Sequence, residues 1–301
     1  ITGLAGQTRN PVIQIRNLGL SNITSFDVDF EYNGNTITEN ITGVNMVTSD
    51  VYTVNMNSTI SLIGGLNTGT ATVYNVNNLG PDDDNSDDSK TIQIEAINPA
   101  PGKLVIGEEA TGSWCQFCPR GAVALNWMDK DYEGYWQGIA VHNGDPMVDP
   151  DYDNGIAAYI GGYPSGMVDR GPEADPMGVG TPTSFKDDFL QRIIIEPNGI
   201  ITNGAELDSN TNTLKVSLTV DIQNNINGNY KLACVLVEDS VTGTTSGYYQ
   251  SNAYSGGGIG SLIDVDGSDW ANKSSNVAAS QMIYRHVGRS IAPSFGGQDL
   301  N

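Results

Sequence analysis

The sequence predicts a multidomain chain in which a central α/β domain lies between two all-β domains. Stretches of alternating apolar and polar residues fill residues 1–97 and 197–301, which is the period-two pattern of half-buried strands. Residues 98–196 instead combine short apolar stretches with stretches of helical spacing. We therefore expect three domains with these boundaries.

The first predicted domain, residues 1–97, has the pattern of a β-sandwich. Four large side chains alternate with acidic residues along one stretch: Phe26, Val28, Phe30 and Tyr32. Asn33-Gly34 follows directly and predicts a hairpin turn. This short-strand rhythm resembles the immunoglobulin-like modules of bacterial surface proteins. The prolines and glycine of residues 98–102 then predict a linker, because they interrupt strand pairing.

The last predicted domain, residues 197–301, shows the same alternation. Its clearest example is a run of five apolar residues at every second position: Leu214, Val216, Leu218, Val220 and Ile222. We predict a second β-sandwich. Because the sequence stops in a Gly-rich stretch without a closing element, we expect this sandwich to be truncated. The chain starts at Ile1 rather than Met, so we interpret it as a mature or trimmed fragment that is compatible with a lost export signal.

The charge balance excludes one class of partner. The chain has 35 Asp and Glu against 14 Lys and Arg, a formal net charge of −21. A nucleic-acid partner needs a basic face, so we expect none. No run of about 18 apolar residues occurs, so we expect no transmembrane helix in this chain. Strong negative charge fits a salty or extracellular setting, where ions screen self-repulsion.

Residues 108–120 carry the predicted chemistry, because they hold two of the three cysteines at C-x-x-C spacing. An apolar β-type run, residues 103–106, precedes them, and a helix-like run, residues 121–128, follows them. A thiolate at a helix N-terminus is stabilised by the helix dipole. We therefore predict that Cys115 is the nucleophile, and that Cys118, one turn further on, forms a disulfide with it and resolves mixed disulfides.

Two less reactive interpretations of the cysteine pair stay open. The pair is either a structural disulfide at a retired site or half of a metal site. A tetrahedral zinc site needs four ligands, and the remaining soft partners are Cys234, His142 and His286. Cys234 lies in the middle of a predicted strand, where we expect a buried free thiol. We expect His142, at a strand end, to be structural.

Residues 114–118 resemble the W-C-x-x-C site of thioredoxin-like proteins. The resemblance implies a thioredoxin-like fold for the central domain, with Glu109 as the buried acid that takes a proton from Cys118. It also implies that Pro164 is the cis-proline facing the disulfide, and that Trp114 and Tyr163 contact substrate. Gln116-Phe117 replaces the Gly-Pro of thioredoxin itself, which leaves the redox potential open.

Residues 118–121 and 142–147 are more similar to a bacterial outer-membrane protein family, the 28-kilodalton type, which embeds a thioredoxin-like domain. Location outside the cytoplasm follows from that resemblance: extracellular, on the cell surface, or in the outer membrane or periplasm of a bacterium. From the residues alone, Glu109 is either a buried proton acceptor or an ordinary carboxylate at a strand end. If Glu109 faces inward, strand alternation places Glu108 in solvent.

An acidic loop is a candidate calcium site. Asp149, Asp151 and Asp153 begin like a D-x-D-x-D calcium loop, but Asn154 replaces its glycine and Ile160 replaces its final glutamate. The EF-hand interpretation therefore fails. A looser Ca²⁺ site that also uses Asp145 stays open, as does an ordinary solvated loop.

The function hypothesis is an exported thiol–disulfide oxidoreductase that exchanges disulfides with protein thiols and requires no cofactor. The alternative is a structural or adhesive protein of the cell surface, in which the central domain is a scaffold and the β domains bind surface partners.

Overall fold

The computed structural model contains mostly β-sheet, with 41% of residues in strands and 15% in helices. The chain divides into two compact units, Ile1–Pro99 and Ala100–Asn301. None of the helices in the described ranges is both long and apolar enough to cross a membrane. The structure describes the following residues: 3–80, 84–181, 183–223 and 228–300.

The first unit is built on one five-stranded sheet and two small ribbons. The sheet has the order β1-β9-β8-β4-β5 and is antiparallel except for the parallel pair β1–β9; the ribbons are β2–β7 and β3–β6. The strands have these bounds: β1 Gly3–Leu4, β2 Thr8–Arg9, β3 Val12–Arg16, β4 Ile23–Tyr32, β5 Asn35–Met46, β6 Val51–Asn55, β7 Ile60–Ser61, β8 Gly65–Tyr74 and β9 Ser89–Ile97.

Strand β4 explains how this sheet holds its core. Phe26, Val28, Phe30 and Tyr32 are buried, whereas the acidic residues between them are half-buried or exposed. Successive side chains point to opposite faces of a strand, so the alternation produces one apolar face. The turn into β5 uses Asn33-Gly34 with φ angles of 50° and 73°, the left-handed conformation that tight hairpins need.

The second unit is built on a six-stranded sheet of order β13-β12-β10-β11-β20-β17, in which β10–β11 and β11–β20 are parallel. Its helices are α1 Pro119–Asp131, α2 Pro150–Ile156 and α3 Phe185–Arg192. Its strands are β10 Val105–Thr111, β11 Trp136–His142, β12 Ser165–Val168, β13 Glu173–Ala174, β14 Gly199–Asp208, β15 Thr213–Ile222, β16 Lys231–Leu232, β17 Cys234–Glu238, β18 Gln250–Ser251, β19 Asn276–Val277, β20 Val287–Ala292 and β21 Gln298–Asp299.

Both faces of the central strand β11 are covered. Trp136 packs against Phe185 and Phe189 of α3, while Ile139 and Val141 lie in a cluster with side chains of α2. Strand side chains alternate, so these two sets lie on opposite faces of the sheet. When helices cover both faces of a sheet, the sequences of its central strands are nearly continuous apolar runs. Most of β10 and β11 is accordingly buried.

The predicted fold class, a central thioredoxin-like α/β domain between two immunoglobulin-like β-sandwiches, is wrong. The chain is mostly β-sheet with three α-helices in its described part and many small sheets, and a central thioredoxin fold is not shown. The described strands of residues 197–301 form no sandwich, since β17 and β20 join the sheet of β10–β13. Alternation identified strands here, but it did not identify their neighbours.

The ribbon β14–β15 shows the same difference. Its cross-strand pairs place most of its apolar side chains on one face, with Ile201 opposite Val220 and Leu207 opposite Leu214. That face is largely exposed, and Leu207 is 66% accessible. The sequence pattern predicted the core face of a sandwich. In the structure, no second sheet formed by the described residues of this unit covers the amphipathic ribbon.

We predict that Gly107→Ala destabilises the second unit by about 1–3 kcal/mol through overpacking. A Cβ atom at Gly107 would lie 2.0 Å from the ring of buried Trp136. Gly162 provides the control, because a Cβ there would meet no atom within 4 Å. Denaturant unfolding of both alanine variants measures the difference. Equal unfolding midpoints for the two variants would contradict the close packing of β10 on Trp136.

Candidate functional site

The two cysteines of the central motif form a disulfide. Cys115 and Cys118 lie in the loop between β10 and α1, with their Cα atoms 5.4 Å apart. The sequence placed Cys115 at the N-terminus of the helix; in the structure Cys118 is the N-cap residue and Pro119 the first residue of α1. Proline suits this position because its missing N–H would have no helical partner there.

A distant segment covers the cysteine loop, and we call residues 246–253 the covering segment. The backbone N–H of Ser251 donates to the carbonyl of Ser113, and that of Ala253 donates to Gln116, both at 2.8 Å. Gln250 Nε2 donates to the carbonyl of Cys115 at 2.9 Å. The residue exposures of Cys115 and Cys118 are only 5% and 1%. The cysteine loop is thus held by a segment that lies more than a hundred residues further along the chain.

Aromatic side chains surround the loop on its exposed side. Trp114 is 50% exposed, and Phe117 is 38% exposed. The Trp114 indole donates to the carbonyl of Asn143 at 2.8 Å, and its ring meets Tyr163 edge-on at a centroid distance of 5.4 Å. The Tyr163–Pro164 peptide bond is cis, and Pro164 is buried. The ring contact therefore brings this peptide alongside the cysteine loop.

Glu109 is the most perturbed carboxyl at the site. It is 1% exposed, and its Oε1 has no hydrogen-bond partner among the described residues. Burial raises its pKa to about 8, against smaller lowering effects of Thr111 and Arg120, while Asp175 adds to the rise. A Cβ at Gly121 would lie 1.7 Å from Oε1, so a glycine in α1 makes room for the carboxyl.

Glu108 contradicts its prediction, because it is not in solvent. It is 3% exposed, accepts a 2.6 Å hydrogen bond from the Tyr152 hydroxyl and pairs with the guanidinium of Arg170 at 3.0 Å. Burial, followed by the charge of Glu108, raises the pKa of Tyr152 far above its ordinary value. Since β10 is covered on both faces, both adjacent glutamates lie inside.

His142 and Asp145 form a buried pair that supports the loop. His142 Nδ1 lies 2.7 Å from Asp145 Oδ2, and Asp145 also accepts backbone hydrogen bonds from Ser113 and Met147 at 2.9 Å. Burial opposes the charge of Asp145, but the bonds from His142 and the backbone hold its pKa below its ordinary value. This pair ties the residue two positions before Cys115 to the end of β11.

The structure does not collect the predicted calcium ligands. Asp149 caps α2 by accepting from the N–H of Tyr152, Asp151 accepts from Phe295, and Asp153 accepts from Asn143. No group of three or more His, Cys, Asp or Glu side chains that could hold a metal ion occurs in the part of the chain that the structure describes. Asp145 is instead paired with His142.

Cys234 also differs from its prediction. It lies in β17 and is free, but it is half-exposed rather than buried. Cys115 and Cys118 are bonded to each other, so neither sulfur is a thiolate ligand in this structure. These three sulfurs therefore supply no common metal site here.

Sequence reasoning missed a cavity of about 220 Å³ behind the disulfide. Cys118 and Glu109 line it together with Trp270, Tyr284 and His286, which come from the last 32 residues of the chain. The sequence singled out His286 only as a soft ligand, and Trp270 lies in a loop without a regular pattern. No spacing rule connects positions that far apart.

No family model matches the chain, and no curated protein matches it. A crystal structure of an Agrobacterium tumefaciens protein from a structural-genomics consortium is similar at 16% identity, over 64% of this chain and 73% of that chain, with a TM-score of 0.33. At this level the likeness carries no argument about fold or function.

We predict that Glu109 makes the folded state less stable as pH rises. A carboxyl whose folded pKa is raised from 4.5 to about 8 contributes no penalty below pH 4.5 and its full penalty above pH 8. Between these values the free energy of unfolding should fall relative to Glu109→Gln, by on the order of 4 kcal/mol. Denaturant unfolding of both oxidised proteins across this range measures it; parallel pH curves would refute a buried neutral carboxyl.

Proposed function

We propose that this protein catalyses thiol–disulfide exchange at Cys115 and Cys118, with Glu109 as the proton-transfer group. The observation that carries the proposal is the buried carboxyl of Glu109, whose Oε1 has no hydrogen-bond partner among the described residues. This carboxyl lines the same cavity as Cys118 and has a pKa of about 8. A general acid or base works best when its pKa lies near the operating pH. A purely structural disulfide gives no reason for such a carboxyl beside it.

The reaction starts from the disulfide as the structure contains it. A thiolate of a substrate dithiol attacks Cys115 Sγ, a new S–S bond forms, and the Cys115–Cys118 bond breaks. The electron pair moves to Cys118 Sγ, which takes the proton of neutral Glu109. The second substrate thiolate then attacks the substrate sulfur of the mixed disulfide and releases Cys115 as a thiolate, which is protonated from solvent.

The electrons balance in this scheme, because two substrate thiols become one disulfide while the protein disulfide becomes two thiols. Glu109 recovers its proton from solvent, and the reverse sequence reduces a substrate disulfide. The two cysteines carry the electrons, so the scheme invokes no metal and no organic cofactor. Below pH 8 Glu109 holds a proton to donate, and above pH 8 its carboxylate accepts one.

In the proposed reaction, the substrate thiolate attacks the sulfur of Cys115. Its exposure, although small, exceeds that of Cys118, and exposed Trp114 and Phe117 lie on either side of it. Exposed aromatic side chains offer apolar contact area to a polypeptide. The partner we propose is therefore a protein or peptide with accessible cysteines. Disulfides persist in oxidising compartments, so we place this activity in the bacterial envelope or outside the cell.

A second candidate function is a surface structural or binding protein with a protected disulfide. The covering segment favours it, because its hydrogen bonds reach the carbonyls of Ser113, Cys115 and Gln116 and leave little of Cys115 accessible. In that case the disulfide closes a loop, and the β-sheet surfaces bind the partner. Access to Cys115 in solution separates the two candidates.

We predict that the wild-type protein oxidises a cysteine-pair peptide and that Cys115→Ser abolishes this activity. Glu109→Gln should slow exchange near neutral pH by on the order of a hundredfold, the lower range for a positioned proton-transfer group. Fluorescence of a labelled dithiol peptide follows the oxidation.

Cys234→Ser is the control for this assay, because Cys234 is the free cysteine outside the site and its loss should leave the rate unchanged. Equal rates for wild type and Cys115→Ser would refute catalysis at this pair. A native disulfide that resists dithiothreitol until the protein unfolds would instead support the structural candidate.

We also predict that Gln250→Ala speeds reduction of the native disulfide by mild reductant. The change removes the side-chain bond to the Cys115 carbonyl and loosens the covering segment. Gln223→Ala is the control, since Gln223 is exposed and its side-chain amide donates to Asp221 rather than to the cysteine loop. Thiol counting during a glutathione titration measures both rates. A Gln250→Ala rate no faster than the control would show that the segment does not limit access.

A further inference from the structure

The cavity behind the disulfide joins a buried end to an exposed rim. Buried Glu109, Cys118 and His142 belong to its lining, and so do exposed Asp266 and Gln281. It therefore reaches from Cys118 to solvent, and Gln250 of the covering segment forms part of its wall. Its volume is about 220 Å³.

The cavity contains an unusual concentration of unsatisfied polar atoms. Within the described ranges, four buried side-chain nitrogen or oxygen atoms lack a hydrogen-bond partner. Three of them belong to residues that line this cavity, namely Glu109 Oε1, Trp270 Nε1 and His286 Nε2. All three residues are at least 95% buried. Buried polar groups in native proteins are nearly always paired with protein or ordered water, and of the four atoms only these three belong to residues with this cavity beside them.

The chemistry of the three atoms indicates which occupant fits the cavity. An indole N–H can only donate, an imidazole nitrogen donates or accepts, and a neutral carboxyl does both. A metal cation could not satisfy the indole. Water matches all three, and one water needs about 10–15 Å³ of such volume. The cavity has room for several, and it is polar enough to hold them.

His286 is held firmly at this cavity. Its φ angle of 59° is left-handed, its backbone N–H donates to Asp239 at 2.7 Å, and its carbonyl accepts from Ala140 at 2.6 Å. Burial lowers the pKa of His286; the charges of Asp239 and Asp129 oppose this, and that of Arg285 adds to it. A neutral imidazole results near pH 7, which can accept one proton while it donates another.

The groups around Glu109 are also fixed. Arg120 in α1 donates from Nε and Nη2 to Asp175 at 2.9 and 2.5 Å, and its charge lowers the pKa of Glu109 by less than burial raises it. Thr111 lies on the same strand, and Asp175 raises the pKa of Glu109 further. Among the described residues, no ion pair includes Glu109. The cavity that Glu109 lines is the route that the structure offers its proton to solvent.

We propose that water molecules in this cavity carry protons between Glu109 and solvent, with His286 as the second proton-accepting group on the path and Trp270 as a fixed donor that orders the water. Only the role of this path in catalysis rests on the proposed function, because the exchange reaction moves one proton to or from Cys118 in each turnover. The waters themselves, and the proton exchange of Glu109, exist in the oxidised protein without any substrate.

The first test asks whether the cavity holds water. In protein labelled with ¹⁵N-tryptophan, we expect a water cross-relaxation peak at the Trp270 indole N–H. Trp136 is the matched control, because its indole nitrogen is also buried and unpartnered but lies outside the lining. Its signal should show no such peak. A Trp270 signal as silent as that of Trp136 would mean a dry cavity and would overturn the proposal.

The second test measures proton movement at Glu109 directly. Infrared difference spectra against Glu109→Gln identify the protonated carboxyl below its pKa of about 8. After rapid mixing with D₂O, we expect His286→Asn to slow deuteration of that carboxyl by on the order of a hundredfold. Asparagine tolerates the left-handed backbone at this position. Trp270→Phe should slow the exchange too, whereas Trp136→Phe should not.

Deuteration that is equally fast in wild type, His286→Asn and Trp270→Phe would overturn the path. Thermal unfolding of each variant verifies that it is folded, and Trp270→Phe keeps the measurement interpretable if His286→Asn is not. Neither test uses a thiol substrate. Fast, His286-dependent deuteration in a protein without exchange activity would therefore reject the proposed function and keep the proton path. Exchange activity in a protein whose deuteration does not depend on His286 or Trp270 would reject the proton path and keep the proposed function.

Discussion

A carboxyl with an unpartnered oxygen inside the second unit constrains the whole site. Charging Glu109 in the interior is costly, so the folded chain holds it as a neutral acid to about pH 8. Its position requires Gly121 in α1, because any side chain there would overlap the carboxyl. The same first turn carries Cys118. Strand β10, helix α1 and the disulfide are thus arranged around one acidic proton.

Chain from far along the sequence completes this arrangement. Strand β20 pairs with β11, and the covering segment donates to three carbonyl groups of the cysteine loop. The loop needs these donors, since unpaired backbone groups near the protein interior are destabilising. The same bonds restrict what can approach Cys115. Stability of the loop and access to its sulfur therefore oppose each other.

Local features of this structure could be predicted from sequence. Alternation marked β4, C-x-x-C spacing singled out the cysteine pair, and the resemblance to thioredoxin-like proteins pointed to Glu109. The fold class could not be predicted, because a period-two pattern shows that a strand has an apolar face but not which element packs on that face. The apolar face of β14–β15 is largely exposed, and β17 and β20 pair in the sheet of β10–β13. Glu108 was misplaced for a related reason. Alternation implies one wet face, but β10 is covered on both sides.

Protons and protein thiols need different access to the disulfide, and this difference governs any chemistry there. The covering segment occupies the loop carbonyls, and Cys115 is 5% exposed. A cavity of about 220 Å³, which Gln250 of the covering segment also lines, connects Glu109 with exposed residues. Protons, which move along hydrogen-bonded water, can reach the site while the covering segment stays closed. A protein thiol cannot, because it must bring a sulfur atom to Cys115. The proposed reaction therefore requires the covering segment to open for each protein thiol but not for each proton.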